Sequence, residues 1–295
     1  MASGVGRVEL PLVVIVGPTA SGKTKLAIDL AMKYGGEIIC ADSRTVYRGM
    51  DIGTAKPSED EQSEVTHWAI DIVDPDDRFT AADFKRYADS KIAEIRARGR
   101  IPFLVGGTGL YIDAVLYDYQ FGQASDPVRR QELERLSLRE LYEYCDKNNV
   151  ELPENRQNKR YVIRAIEQKG VNYKRKYAPV STSIIVGIST ERNVLRTRIE
   201  HRAEQIFNDG VVEEAKQLGK KYGWNSEAMT GNIYPLIHKY LDGQMTMLEM
   251  QQKFITLDWR LAKRQLTWLR RNSDIEWLAL PEAYSRIDNL LADMG

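Results

Sequence analysis

Gly17-Pro18-Thr19-Ala20-Ser21-Gly22-Lys23-Thr24 sets two glycines with four residues between them, then a lysine and a threonine. The apolar run Leu12-Val13-Val14-Ile15-Val16 precedes it, and the helix-like Lys25-Leu26-Ala27-Ile28-Asp29-Leu30-Ala31 follows. Strand, glycine loop and helix start together fit the pattern G-x-x-x-x-G-K-[ST]. Its backbone N–H groups converge on an anionic oxygen cluster at a helix N-terminus. Phosphate binding is therefore expected at Gly17, Thr19, Ala20, Ser21, Gly22, Lys23 and Thr24. Lys23 would add a point charge, and the Thr24 hydroxyl would hold Mg²⁺. A plain glycine turn between strand and helix is the alternative reading. The loop does not say whose phosphate it holds.

Two further stretches offer groups for chemistry beside that phosphate. Glu37-Ile38-Ile39-Cys40-Ala41 reads as a short buried strand that delivers Asp42 and Ser43 at its carboxyl end. Ligands of open parallel α/β sheets bind outside the carboxyl ends of strands, so Asp42 is expected beside the phosphate loop. A carboxylate that merely caps the following turn is the alternative. Ile101-Pro102-Phe103-Leu104-Val105 runs into Gly106-Gly107-Thr108-Gly109, where three glycines around Thr108 would leave backbone and hydroxyl open to a ligand. A tight turn into a helix is again the plain alternative. Phosphoryl transfer would call for a Walker-B aspartate ending an apolar strand, and neither Asp71 nor Asp74 fits that position cleanly. Asp42 and Thr108 suit instead a base acting on an acceptor next to a departing phosphate.

The elements that must position these residues point to an α/β fold, a P-loop NTPase-like parallel sheet flanked by helices, with a small helical insertion. The expected division is residues 1–117 as the first part of the core, 118–177 as the insertion, and 178–295 as core completion and C-terminal helices. Ala69-Ile70-Asp71-Ile72-Val73 is a further strand candidate. Thr80-Ala81-Ala82-Asp83 is a capping-box start for a helix that runs to Gly99. Ile184-Ile185-Val186-Gly187-Ile188 would complete the sheet, leaving the remainder helical. Between Arg156 and Lys176 the basic residues Arg156, Lys159, Arg160, Arg164, Lys169, Lys174, Arg175 and Lys176 have one acidic neighbour, Glu167. That run is either a solvated helix face or a nucleic-acid contact. Along Leu257 to Arg271, leucines can face a core while Arg260, Lys263, Arg264, Arg270 and Arg271 form a cationic surface.

Balanced charge, 42 Lys+Arg against 42 Asp+Glu in 295 residues, excludes a globally basic nucleic-acid coat, so any such partner needs a local basic face. Cys40 and Cys145 lie far apart without metal-type spacing, which argues against a zinc module or a disulfide framework. No apolar run approaches membrane-spanning length, and residues 1–7 lack the apolar stretch of a signal peptide. A cytoplasmic protein that does not engage a membrane is expected.

Taken together, the motifs resemble the tRNA dimethylallyltransferases of bacterial type, also called tRNA isopentenyltransferases. The residues that carry the resemblance are Gly17 to Thr24, Asp42-Ser43 with Val46-Tyr47-Arg48-Gly49-Met50-Asp51-Ile52-Gly53-Thr54-Ala55-Lys56-Pro57, and Asp71-Ile72-Val73-Asp74-Pro75. Val105 to Ile112, Val162-Ile163-Arg164-Ala165-Ile166-Glu167 and Ala262-Lys263-Arg264-Gln265-Leu266-Thr267-Trp268 complete it. The resemblance implies transfer of a dimethylallyl group from its diphosphate to the exocyclic N6 amine of the adenine 3′-adjacent to the anticodon, in tRNAs reading codons that begin with U. It implies Asp42 as base, Thr108 at the reaction centre, and Lys23, Arg202 and Thr24 with Mg²⁺ at the leaving group. It also implies tRNA contacts by Asp42, Ser43, Arg44, Thr45, Thr108, Arg160, Arg164, Lys263 and Arg264. The partners would be the anticodon stem-loop of tRNA and dimethylallyl diphosphate, with the protein acting as a monomer.

The chain departs from the family pattern at three places. Thr45 stands where Asp-Ser-x-Gln has its glutamine, His67-Trp68 replaces His-His, and Ile233-Tyr234-Pro235-Leu236 replaces Gly-Tyr-Lys-Glu. The two competing functions are an adenylate isopentenyltransferase acting on a free adenine nucleotide, and a P-loop kinase or nucleotide switch.

Overall fold

The computed structural model describes residues 10–122, 126–153, 155–169, 176–180 and 182–294. Residues 1–7, and Lys174 and Arg175 of the basic run, lie outside these. The chain divides into two compact units, Met1–Leu116 with Ala178–Gly295, and Tyr117–Tyr177.

The first unit opens with β1 (Leu12–Val16), α1 (Lys23–Tyr34), β2 (Glu37–Ala41), α2 (Glu59–Glu64), β3 (His67–Trp68), α3 (Ala81–Ala97), β4 (Pro102–Gly106) and α4 (Gly109–Leu116). The second unit contributes α5 (Pro127–Arg135), α6 (Leu138–Lys147) and α7 (Lys159–Glu167). The first unit resumes with β5 (Ser183–Ile188), α8 (Arg192–Asn208), α9 (Val211–Tyr222), a 3₁₀ turn (Ala228–Thr230) and α10 (Tyr234–Leu241). It ends with α11 (Met247–Leu269), β6 (Glu276–Leu278) and α12 (Leu280–Ala292).

The six strands form one parallel sheet in the order β3-β2-β4-β1-β5-β6. β1, β2 and β4 are buried along their whole length, which is why their sequences read as continuous apolar runs rather than alternating ones. One layer packs α1 and α12 onto the sheet through Leu26, Leu30, Ile38, Val105, Ile287 and Leu291. A second core gathers α8 to α11 around Tyr47, Met50, Ile206, Tyr234, Ile237 and Phe254. Register sets the site: Gly106 pairs with Val16 of β1 on one side and Ala41 of β2 on the other. The chain therefore leaves all three strands at one level, at Gly17, Asp42 and Gly107.

Two expectations are corrected. The strand beyond β2 is His67–Trp68 and not Ala69–Val73, because Ala69 (φ 63°) and Asp71 (φ 52°) adopt left-handed backbone that ends extended pairing; Val73 keeps a single bridge to Tyr47. The sheet also does not finish at β5. β6 adds a sixth strand after α11, and its three edge residues, exposed Glu276 and half-buried Trp277 and Leu278, form no apolar run long enough to announce it. The start of α3 is as read: the Thr80 hydroxyl accepts from Asp83 N–H and the Asp83 carboxylate accepts from Thr80 N–H.

Trp68 and Leu236, two of the departures, have structural partners. The Trp68 indole donates to Glu37 Oε2 at 2.7 Å, helping Arg98 satisfy a buried carboxylate. Leu236 is buried in the α10 core, with Pro235 in the first turn, where its missing N–H costs nothing. In the second unit α5, α6 and α7 close on Leu133, Leu141, Cys145, Val162, Ile163 and Ile166. Among the described residues no helix is long and apolar enough to cross a membrane.

Candidate active site

The segments leaving β1, β2 and β4 line a cavity of about 430 Å³. α1 begins directly from the loop, so its first N–H groups have no intrahelical partners. Gly22, at φ 89°, turns the chain into it, and Ala20 at φ 61° holds the left-handed backbone that a concave loop requires. No described residue accepts from the N–H of Ala20, Gly22, Lys23 or Thr24, which leaves four donors for an anion. The other loop amides are committed. Gly17 N–H donates to Gly106 O, Ser21 N–H to Pro18 O, and Thr19 N–H to Gln265 Oε1 at 2.9 Å. The cradle is thus narrower than the sequence suggested: Gly17 and Thr19 shape it without offering their amides, and the Ser21 hydroxyl is buried without a partner.

Lys23 donates from Nζ to Pro18 O at 3.2 Å. Burial lowers its pKa to about 8; Asp42 opposes that shift and Arg202 adds to it. Arg202 reaches the loop from α8. Its Nη1 donates to Thr19 Oγ1 at 2.5 Å and to Asp258 Oδ2 at 3.0 Å, and its Nη2 donates to Thr54 O at 3.1 Å. Thr54 belongs to the irregular 47–57 segment, fixed by Glu214, whose carboxylate accepts from the N–H groups of Asp51, Ile52 and Gly53. Arg198, one turn before Arg202, donates to Ser21 O at 3.2 Å.

Asp42 is half-buried on the cavity wall. One carboxylate oxygen accepts from Arg44 N–H at 2.8 Å, and no described residue donates to the other. Turn-capping and site-lining, posed as alternatives, are both true of it. Thr108 Oγ1 accepts from Ser43 N–H at 3.1 Å, which ties the second glycine loop to the Asp42 strand end. Cys40 also lines the cavity, but burial and Asp42 push its thiol up to about 12, so it is no nucleophile at neutral pH.

Of the second glycine loop, Gly106 and Thr108 line the cavity as expected, whereas Gly107 and Gly109 serve packing and do not open backbone to a ligand. A Cβ on Gly107 would meet Gln265 Nε2 at 2.5 Å, and one on Gly109 would fall on the Trp268 ring at 2.0 Å. Both partners come from α11. Arg44 is likewise engaged by protein: its guanidinium donates to Glu227 O, Ala228 O and Thr230 Oγ1. Thr45 lines the cavity, yet it is 6% exposed and its hydroxyl has no partner, so in this geometry it presents nothing to a base. Arg264 lines the cavity, whereas Lys263 is exposed and lies over the Trp259 ring. In the second unit Arg160 is exposed on α7, while Arg164 shares the buried Glu167 carboxylate with Arg130.

A phosphate cradle flanked by a free carboxylate oxygen suits chemistry at an atom beside the phosphate. The family model for IPP transferases matches residues 45–272. The chain belongs to the IPP transferase family. Its relatives include the tRNA dimethylallyltransferases of Bacillus velezensis, 40% identical over 282 residues that span 90% of each chain, and of Desulforudis audaxviator, 41% identical over 290 residues covering 92% and 93%. The fold matches the full-length tRNA isopentenylpyrophosphate transferase of Bacillus halodurans with a TM-score of 0.75 at 37% identity, over 96% of both chains. For an IPP transferase the residues that sequence reasoning missed are Gln265, Asp258, Asn232 and Arg198. Gln265 stood within a quoted motif without a role. The others offered no signal, because their partners are distant in sequence.

Proposed function

We propose that this chain transfers the dimethylallyl group of dimethylallyl diphosphate to the N6 amine of the adenine 3′-adjacent to the anticodon, in tRNAs reading codons that begin with U. The observation that supports it best is one cavity with two chemically different walls, a cationic N–H cradle and the Asp42–Thr108 wall. The free amides of Ala20, Gly22, Lys23 and Thr24 bind the diphosphate, and Lys23 and Arg202 face the charge that grows as the allylic C–O bond breaks. The bonding electron pair leaves on the diphosphate oxygen. The N6 lone pair forms the new C–N bond, and the free Asp42 oxygen takes the N6 proton. Thr108 orients the Asp42–Ser43 turn through the Ser43 amide. The target base is stacked in its RNA loop and must be splayed out to reach the cavity. Arg264 at the cavity wall and the exposed Arg160 are suited to phosphates of the stem.

Mg²⁺ fits this site as an ion shared with the substrate. Among the described residues no group of three or more His, Cys, Asp or Glu could cage a metal, and Thr24 supplies one hydroxyl, the donor set Mg²⁺ accepts when phosphates complete its shell. When bound, the ion neutralises leaving-group charge.

The test is labelled dimethylallyl diphosphate offered with tRNA and with AMP separately. Label is expected in tRNA and not in AMP; label in AMP would move the acceptor to a free nucleotide. Asp42→Asn should keep dimethylallyl diphosphate binding and lose roughly 10²-fold in single-turnover rate. An unchanged rate would remove Asp42 as the base.

A further inference from the structure

We propose that Asp258 is a positioning residue for Arg202, fixing the guanidinium against the phosphate loop so that it meets the leaving diphosphate. This rests on the reading above that the loop holds a diphosphate.

Asp258 is 4% exposed, and both of its oxygens are used. Oδ2 accepts from Arg202 Nη1 at 3.0 Å, and Oδ1 accepts from Asn232 Nδ2 at 2.9 Å. A buried ion pair is weak stabilisation, since an apolar pair of the same volume serves as well, so a carboxylate in a cavity wall calls for another explanation. Its partner supplies one. Arg202 has a long side chain with many rotamers, and its remaining bonds go to the neutral acceptors Thr19 Oγ1 and Thr54 O. Asp258 is the charged one, and the shared Nη1 links it to Thr19.

α11 reinforces the arrangement. Gln265 lies seven residues beyond Asp258, two turns on and on the same face. Gln265 holds the Thr19 backbone and Asp258, through Arg202, holds the Thr19 side chain. On its other side Asp258 meets Asn232, next to the Ala228–Thr230 turn that Arg44 clamps from the β2 end. One buried carboxylate therefore joins the phosphate side of the cavity to its opposite wall.

The sign of the effect separates positioning from bulk electrostatics. A carboxylate near an anion site repels the anion, so if charge alone mattered, removing Asp258 would tighten diphosphate binding. If Asp258 acts by placing Arg202, removing it must weaken binding despite the charge gained.

Binding of inorganic diphosphate and steady-state transfer to tRNA are measured for the parent, Asp258→Ala, Asp258→Asn, Arg202→Ala and the Arg202→Ala/Asp258→Ala pair. Asp258→Ala is expected to weaken diphosphate binding about 10-fold and lower kcat/KM at least as much, as for a lost charge-assisted contact. In the Arg202→Ala background the same change should cost less than about twofold, because the residue acts through the arginine. Asp258→Asn keeps the shape and one acceptor, so it should recover part of the loss and its midpoint of thermal unfolding should stay near the parent's. Tighter diphosphate binding in either Asp258 variant, or a full additional loss in the double variant, would overturn the assignment. A parent that binds diphosphate but does not prenylate tRNA would overturn the functional reading alone, and the binding cycle would still decide Asp258.

Discussion

Gln265 accepts a hydrogen bond from the backbone N–H of Thr19 at 2.9 Å, across 246 residues of sequence. α11 thereby fixes the shape of the phosphate loop, and the side chain fits because residue 107 is glycine. Gln265→Leu orphans the Thr19 amide. One neutral hydrogen bond is worth about 0.5–1.5 kcal/mol, so KM for dimethylallyl diphosphate should rise roughly 2- to 10-fold with little change in kcat. Gly107→Ala, which drives a Cβ into the Gln265 amide, should act in the same direction. Steady-state kinetics check both, and an unchanged KM in the two variants would show that the loop holds its form without α11.

The lowered pKa of Lys23 sets a pH dependence. Its ordinary value is 10.5 and burial brings it to about 8, so between these values the unfolded chain binds a proton that the free native protein does not. On this account native stability rises with pH across that window. Diphosphate affinity runs the other way: below pH 8 the ammonium is already charged, and above it binding must take up a proton. The Kd for inorganic diphosphate should therefore weaken as pH rises through about 8, with proton uptake visible by calorimetry in buffers of different ionisation enthalpy. Lys23→Arg should flatten that limb, since a guanidinium stays protonated.

Thr45 carries a buried hydroxyl without a partner. Thr45→Val replaces it with a methyl of nearly the same shape and should stabilise the protein by about 1 kcal/mol, the order of an unsatisfied buried hydroxyl. Urea unfolding measures this. If prenylation of tRNA falls tenfold in the variant while stability does not rise, the hydroxyl contacts substrate.

Arg160 and Arg164, neighbours on α7, should behave differently. Arg160→Ala is expected to lower the slope of log K for tRNA against log salt by about one, with dimethylallyl diphosphate affinity unchanged. Arg164 is held by Glu167, which Arg130 also serves. Arg164→Ala should lower the stability of the helical unit more than it changes the salt slope. Equal slopes for parent and Arg160→Ala would make α7 a solvated face.

Local patterns were legible in the sequence wherever one short stretch carries its own physics. The phosphate loop, the buried strands β1, β2 and β4, and the capping box at Thr80 each depend on residues within a few positions of one another. Asp42 and Thr108 could be assigned to one edge because a parallel sheet brings its strand ends to one level. The three-residue edge strand β6 and the break at Ala69 depend on pairing and positive φ, which leave little trace in residue type. What tertiary structure alone decided is which loop amides remain free. Thr19 looks like a phosphate donor until α11 folds over it and Gln265 takes its N–H. Arg202 likewise finds Thr19 and Asp258 only once α8 and α11 are packed together, because a side-chain hydrogen bond is specified by position in space and its partners lie 183 and 56 residues away.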